Sequence, residues 1–513
     1  MADLRLFLPA TIMNLAASGG QANPFSIEEG SVLFCDVAGF TPLTETLSGM
    51  GKEGAEELTR ILNSYFTEMI MIVDEAGGDV IRFGGDAMTL FFPKGMESSA
   101  AGAAHLMMKR MNAFREINAG GSRFSLAMKI GAAYGKVIFG VLGDEESGMD
   151  YYAAGLPLDH SAEAEHRASK GMIVFHPTFG EACGGETTPL GDGFGESRDF
   201  LPLPRRERGK AAGPSGADPA IARLVPRHIV ERAGEGTQGE HRGTTVLFMG
   251  FEGPNTGEDL AGAEEFHAGL NRFFLHVARA ARNYGGIINK VDMGDKGMKA
   301  IILFGSPYAL ENKEEMAIRC AVDAREGNPM KSLFRMKTGI TTSALFTGPV
   351  GSPTRREFTV MGDGINTAAR LMQKARFGEI FCDERTAELS RGPVTFRSLE
   401  PMTLKGKEKP VPVFSPEGFS GRGGLSELPV IIEREEPLEK IKNLLMGRTR
   451  PLLFTGEAGA GKTVLIEWAR RESISLGMIT TRIFLAPYHR TRSYSLWRGA
   501  LRSLIGAGKE DPP

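Results

Sequence analysis

Long uncharged apolar stretches are missing from this 513-residue chain, so no membrane-spanning segment is expected. Cysteine is scarce. Cys35, Cys183, Cys320 and Cys382 lie far apart without CxxC spacing, which excludes a disulfide framework and a zinc site and points to reduced thiols in a cytoplasmic protein. A basic surplus is also lacking: with a net charge of −3, the chain has no excess cation to neutralise phosphate chains, so nucleic acid is excluded as the main partner. The local run PRRERGK at 204–210 reads as solvated linker. The opening MADLRLFLPATIMNLAAS is not a secretory signal, because Asp3 and Arg5 interrupt its start; it reads as an amphipathic segment packing on the first domain. With 42% hydrophobic and 24% charged residues, the composition is that of a globular protein of about three domains.

What the chain has is a repeat. GSVLFCDVAGFT at 30–41 and GGDVIRFGGDAMTLFF at 77–92 recur as TTVLFMGFEG at 244–253 and GGIINKVDMGDKGMKAIILF at 285–304. Register holds at a spacing of 208 between 128–143 and 336–351, and at 207 between 172–183 and 379–390. Matching elements in one order indicate a duplicated domain, and two units this long exclude a solenoid. The chemistry is not duplicated. Asp36 and Asp86 of the first copy face Gly250 and Gly294 in the second, while Lys290, Thr359, Asn366 and Arg370 of the second stand where the first has Arg82, Tyr152, Asp159 and Glu163.

Each copy alternates an apolar strand, a helix (41–76; 260–283), a two-strand hairpin, a second helix (98–118; 312–326) and further strands, the pattern of an α+β domain with helices covering a sheet. The expected division is a first domain at 1–205, a linker at 206–222 rich in Gly, Pro and charge, a second domain at 223–418, a second linker at 419–428, and a third region at 429–513. That last region contains PLLFTGEAGAGKTVLIEWARRE, a GxxxxGK[ST] pattern carried by Gly456, Gly461, Lys462 and Thr463. An apolar strand before it and a helical period after it give the context of a phosphate-binding P-loop, the start of an α/β NTPase domain that takes its own nucleotide if the domain is complete. Few residues follow Thr463, so a truncated domain that does not hydrolyse ATP is expected.

Asp36 and Asp86 end two apolar strands beside glycines, offering the hard oxygen ligands that a pair of Mg²⁺ or Mn²⁺ ions on a triphosphate requires. The turn after Asp36 opens a helix, so the free amides of Ala38 to Thr41, Phe40 among them, are placed to cradle phosphates. Lys290 and Thr359 suit adenine: an ammonium donates to a ring nitrogen and a hydroxyl accepts from the exocyclic amine, polarities that guanine reverses. Asn366 and Arg370, four apart, share a helix face, where the Arg can stabilise charge on a phosphoryl oxygen and the Asn can orient the sugar.

GSVLFCDVAGFT with IRFGGDA in one half, and NKV with GINTAAR in the other, resemble the class III nucleotidyl cyclases, specifically the soluble adenylyl cyclase-like group with tandem cyclase domains followed by a P-loop ATPase region. The resemblance implies two ferredoxin-like domains paired within the chain about a pseudo-twofold axis, with one catalytic and one degenerate site. The activity implied is conversion of ATP to 3′,5′-cyclic AMP and pyrophosphate in intracellular signalling. It also implies that Asp36 and Asp86 bind two metal ions, that Lys290 and Thr359 read adenine, and that Asn366 and Arg370 serve the ribose and the transition state. Lys405, with Lys407 as its neighbour, matches the lysine on the terminal phosphate, and Lys136 falls where many relatives have a phosphate-binding arginine. In bicarbonate-responsive relatives a regulatory arginine stands where this chain has Ala162, with Arg167 one turn on. Two other readings are an ATP-sensing cyclase pair that regulates the P-loop domain, and a guanylate cyclase.

Overall fold

The computed structural model describes residues 3–18, 24–184, 186–198, 219–226, 229–230, 239–254, 260–293, 297–405, 407, 409–419, 435–447, 451–456, 461–478 and 480. The first repeat forms an eight-stranded sheet from β1 (Phe25–Ala38), β2 (Asp79–Gly84), β3 (Ala87–Pro93), β6 (Ala127–Asp144), β7 (Gly148–Ala154), β8 (Ile173–Phe175), β9 (Thr188–Gly191) and β10 (Phe194–Glu196), while β4 (Ile117–Ala119) and β5 (Ser122–Phe124) make a separate hairpin. The order is β2-β3-β1-β6-β8-β10-β9, with β7 on β6. The second repeat builds the same sheet from β11 (Glu240–Glu252), β12 (Ile287–Asp292), β13 (Met298–Phe304), β14 (Arg335–Gly351), β15 (Arg356–Met361), β16 (Ile380–Asp383), β17 (Val394–Met402) and β18 (Val411–Phe419), in the order β12-β13-β11-β14-β16-β18-β17 with β15 on β14. Each sheet has one parallel pair, β6 with β8 and β14 with β16, in otherwise antiparallel company. The chain is α+β, as expected.

The long helices cover one face of each sheet, and shorter ones, Leu156–Arg167 and Asp363–Lys374 among them, pack on the other. Gly51–Ala76 and Glu97–Arg110 lie over the first, Ala263–Asn283 and Lys313–Glu326 over the second, each burying an apolar stripe. The helix expected over 41–76 is two: Phe40–Ser48 ends at Gly49, and Gly51 takes a left-handed φ of 63° that restarts the chain as Gly51–Ala76. The helix expected over 98–118 ends at Arg110, followed by a 3-10 turn, Met111–Phe114. The opening segment forms Ala10–Ser18, and its Ile12 and Leu15, with Leu8 just before the helix, bury against Val32, Phe139 and Tyr151 of the first sheet. Ile221 and Leu224 of the helix Pro219–Leu224 join the same cluster, so this piece of linker packs on the first domain.

The two domains share their cores. Phe346, Val350 and Met361 of the second complete the apolar cluster of the first, and Ile138, Leu142, Tyr152 and Ala154 of the first complete that of the second. At roughly 1.5–3 kcal/mol for each large side chain fully buried, this exchange ties the halves together. Of the third region, Glu435–Leu445 packs on Lys462–Ser475, and 451–456 form no strand, unlike the expectation. Residues 457–460 of the glycine pattern, and Gly294, lie outside the described residues.

Candidate active site

Register fixes the equivalences that spacing implied. Asp36 sits opposite Lys129 and Gly250 opposite Lys337, the same place in two identical ladders. Thr359 pairs with Gly348 as Tyr152 pairs with Gly140. Lys290 and Arg82 each follow a β-bulge in an edge strand.

A cavity of about 440 Å³ opens between the sheets. From the first domain it is lined by Asp36, the turn Val37 to Phe40, and the hairpin tip Gly84 to Asp86; from the second by Lys290, Asn366, Arg370 and Lys405. Local chemistry places these groups. Gly39, at φ 104°, makes the turn that starts Phe40–Ser48, and a Cβ there would stand 2.4 Å from the Ser125 carbonyl. Gly84 and Ala87 pair across the hairpin, leaving Gly85 and Asp86 as its two-residue turn, with Gly85 at φ 81°. Asn366 and Arg370 project from one face of Asp363–Lys374.

Lys290 is buried, and its ammonium donates to the Phe83 carbonyl of the first domain and to Glu357 Oε1 at 3.0 Å. Burial works to raise the Glu357 carboxyl, and Lys290, Arg82 and Arg355 more than offset it, leaving it below the ordinary glutamate value. Two further ion pairs line the cavity: Lys129 with the buried Glu165, and Lys299 with Asp292 at 2.9 Å. Against the effect of burial, Lys299 brings the Asp292 carboxyl down to about 2.

Not every residue chosen from sequence reaches the cavity. Thr359 is buried next to its wall residue Val360 without lining it, and its hydroxyl has no hydrogen-bond partner among the described residues. Lys136 is exposed on β6 across from Glu29 and stands away from the cavity. Of the neighbouring lysines, Lys405 lines the cavity while Lys407 is paired with Asp363. The side chain of Thr41 is outside the described residues, as is that of Thr463. Lys462 begins its helix and donates to the Gly456 carbonyl at 2.9 Å. Sequence reasoning missed Glu357, Asp150, Lys129 and Glu165. The first two were findable, because both repeats carry an acid at that place, 207 apart.

Adenylate and guanylate cyclase catalytic domains match this chain twice, at residues 23–173 and 238–414, well over half its length. The chain belongs to that family. Among curated proteins, this class III cyclase is similar to human adenylate cyclase type 10, with 23% identity over 494 residues, covering 85% of this chain and 30% of the relative. The mouse adenylate cyclase type 10 is 25% identical over 496 residues, covering 86% and 30%. The chain thus spans under a third of the length of these relatives. A solved class III adenylyl cyclase-like ATP-binding protein from Pseudomonas aeruginosa shares the fold with a TM-score of 0.50 at 12% identity, over 71% of this chain and 85% of that one. Among the described residues no helix is long and apolar enough to cross a membrane.

Asp36 and Asp86, two partly exposed carboxylates on one wall, fit a Mg²⁺ or Mn²⁺ pair whose remaining ligands are phosphate oxygens and water.

Proposed function

We propose that the chain is an adenylate cyclase that converts ATP to 3′,5′-cyclic AMP and pyrophosphate in one site between its two domains, acting in intracellular signalling. One observation carries this reading: the carboxylates Asp36 and Asp86 of the first half and Lys290, Asn366, Arg370 and Lys405 of the second line a single cavity. Asp36 and Asp86 hold the metal ions, which when bound offset charge on the α-phosphate and the leaving group and favour the 3′-alkoxide. The amides after Asp36 and the Lys405 ammonium receive the phosphates. Lys290, held by Glu357, donates to the adenine ring, and Thr359 stands beside the wall with a hydroxyl that has no partner among the described residues. Asn366 orients the ribose so that its 3′-oxygen, its proton passing to solvent or to a substrate phosphate oxygen, meets the α-phosphorus in line with departing pyrophosphate. Arg370 stabilises the charge that gathers on the α-phosphoryl oxygens as the new P–O bond forms and the old one breaks. A second nucleotide at the loop from Gly456 to Thr463 goes with this reading if the P-loop domain is complete.

The degenerate place keeps Arg82, Asp159 and Glu163 where this site has Lys290, Asn366 and Arg370, and its acids repel a triphosphate. The deciding experiment incubates the purified chain with ATP or GTP and Mg²⁺ or Mn²⁺ and identifies the cyclic product. Cyclic AMP from ATP supports the reading; cyclic GMP in preference, or no cyclic product, sinks it in favour of a guanylate cyclase or an ATP sensor.

A further inference from the structure

Arg82 and Asp150 form a buried ion pair at 2.6 Å, with the Arg82 guanidinium also donating to the Tyr151 carbonyl and lying 3.6 Å over the Tyr151 ring. These two residues are the repeat mates of Lys290 and Glu357, since Asp150 pairs with Leu142 as Glu357 pairs with Val350. The mates are also crossed between domains. Asp150 Oδ2 accepts the Val291 amide at 2.7 Å, and Glu357 Oε2 accepts the Phe83 amide at 3.3 Å. Each acid therefore holds, in the opposite domain, the peptide just after that domain's own buried cation.

We infer that Asp150 is a positioning residue for Lys290, acting from the half that has no base-reading lysine; the inference rests on Lys290 reading the purine. β12 is the edge strand of its sheet and carries a bulge between Ile288 and Lys290, so β13 alone leaves its register weakly fixed where Lys290 departs. Asp150 supplies the missing second neighbour. Its Oδ1 is occupied by Arg82 and by the Tyr151 amide at 2.8 Å, which leaves Oδ2 aimed at Val291. Burial pushes the Asp150 carboxyl up, Arg82 opposes it, and in the charged form three N–H groups are satisfied at once. Arg82 thereby orients the acid that fixes the lysine of the working site.

The test separates the acceptor from the charge. Arg82→Met with Asp150→Asn removes both charges together, avoiding a stranded guanidinium, and keeps a side-chain oxygen for the Val291 amide. Arg82→Met with Asp150→Leu removes the oxygen as well. Both are made in the full chain carrying Lys462→Ala, so that the P-loop adds no nucleotide signal, and folding is checked by thermal melting. Equilibrium binding of non-cyclisable ATP and GTP analogues reads base recognition whether or not turnover occurs. The Asn variant is expected to keep the unaltered chain's ATP-to-GTP affinity ratio within about twofold, and the Leu variant to lose about tenfold of it, the worth of one buried hydrogen bond, with KM for ATP rising more than kcat falls. A folded Leu variant with the unaltered ratio and KM overturns the inference alone. A chain with native Arg82 and Asp150 that binds both analogues alike overturns the reading of Lys290 and the inference with it. Amide exchange at Val291 in the unaltered chain is a check free of substitution: protection like that of the sheet interior is expected, and exchange at the rate of an open edge is contrary.

Discussion

Asn63 of the first domain accepts the Gly351 amide of the second at 3.0 Å, and its repeat mate Asn271 accepts the Gly143 amide at 2.8 Å. Both pairs lie where the longest strand of one domain reaches the long helix of the other. Together with the exchanged core side chains, they fix the two sheets in one relative orientation. That orientation is what brings the carboxylates of one half to the lysine, asparagine and arginine of the other.

Removal of either carboxylate tests the metal reading. Asp36→Ala and Asp86→Ala are expected to lower metal-dependent cyclisation by on the order of a thousandfold, because losing one ligand forfeits several kcal/mol of charge stabilisation. Both residues are partly exposed at the cavity wall, so thermal melting should change little. Near-normal turnover by either folded variant contradicts the assignment.

Base recognition needs a more careful substitution than a simple exchange of polarity. Lys290→Glu with Thr359→Cys would set a carboxylate against buried Glu357, so that pair alone is expected to destabilise the interface by a few kcal/mol. Adding Glu357→Gln removes the like-charge contact. The triple variant should fold and move preference from ATP towards GTP, at lower turnover, measured as the ratio of kcat/KM values. An unchanged ratio in the folded triple variant would show that the purine is read elsewhere.

Acid sensitivity is expected away from the cavity. Burial, with a smaller push from His160 stacked at 4.0 Å, takes His176 down from 6.5 to about 4. Between those values the unfolded chain binds a proton that the folded chain does not, so stability is lost as pH falls from 6.5 towards about 4. His176→Asn keeps an acceptor for the Thr178 amide, which His176 Nδ1 now takes at 3.3 Å, and cannot titrate. Its melting temperature should fall less over that interval; parallel curves for parent and variant would contradict the assignment.

Much of this was legible in the sequence because it is written locally. Asp86 sits in a turn that Gly84-Gly85 announces, and Asn366 and Arg370 are one helical turn apart, so strand ends and a helix face could be read before any tertiary contact. The position of Lys136 was not legible, since a one-residue difference on a strand exchanges the two faces and spacing alone does not fix its direction. The break at Gly49 to Gly51 was hidden by an apolar period that continues through it. Asp150 and Glu357 recur 207 apart and could be found, but what they hold, amides 141 and 274 residues away, could not. Only the fold brings those together.

The shared site makes a prediction about dividing the chain. The carboxylates belong to the first domain, and Lys290, Asn366, Arg370 and Lys405 to the second, so neither half alone can complete the proposed transition state. The cut matters: Ile221, Leu224, Val225 and Ile229 pack on the first sheet, so the first fragment should run to residue 230 and the second from 231 to 418. Each fragment exposes a core that the other completes, and co-expression is therefore the way to make them. The co-expressed pair should form cyclic AMP, and either fragment alone should not. Asp36→Ala in the first fragment should prevent activity, and Arg370→Ala in the second should reduce it by about a hundredfold to a thousandfold, while both altered pairs still co-purify. Robust magnesium-dependent cyclisation by one fragment would refute the shared site, because it would require a homodimer to supply from a single domain both the carboxylates and the arginine that this chain divides between two.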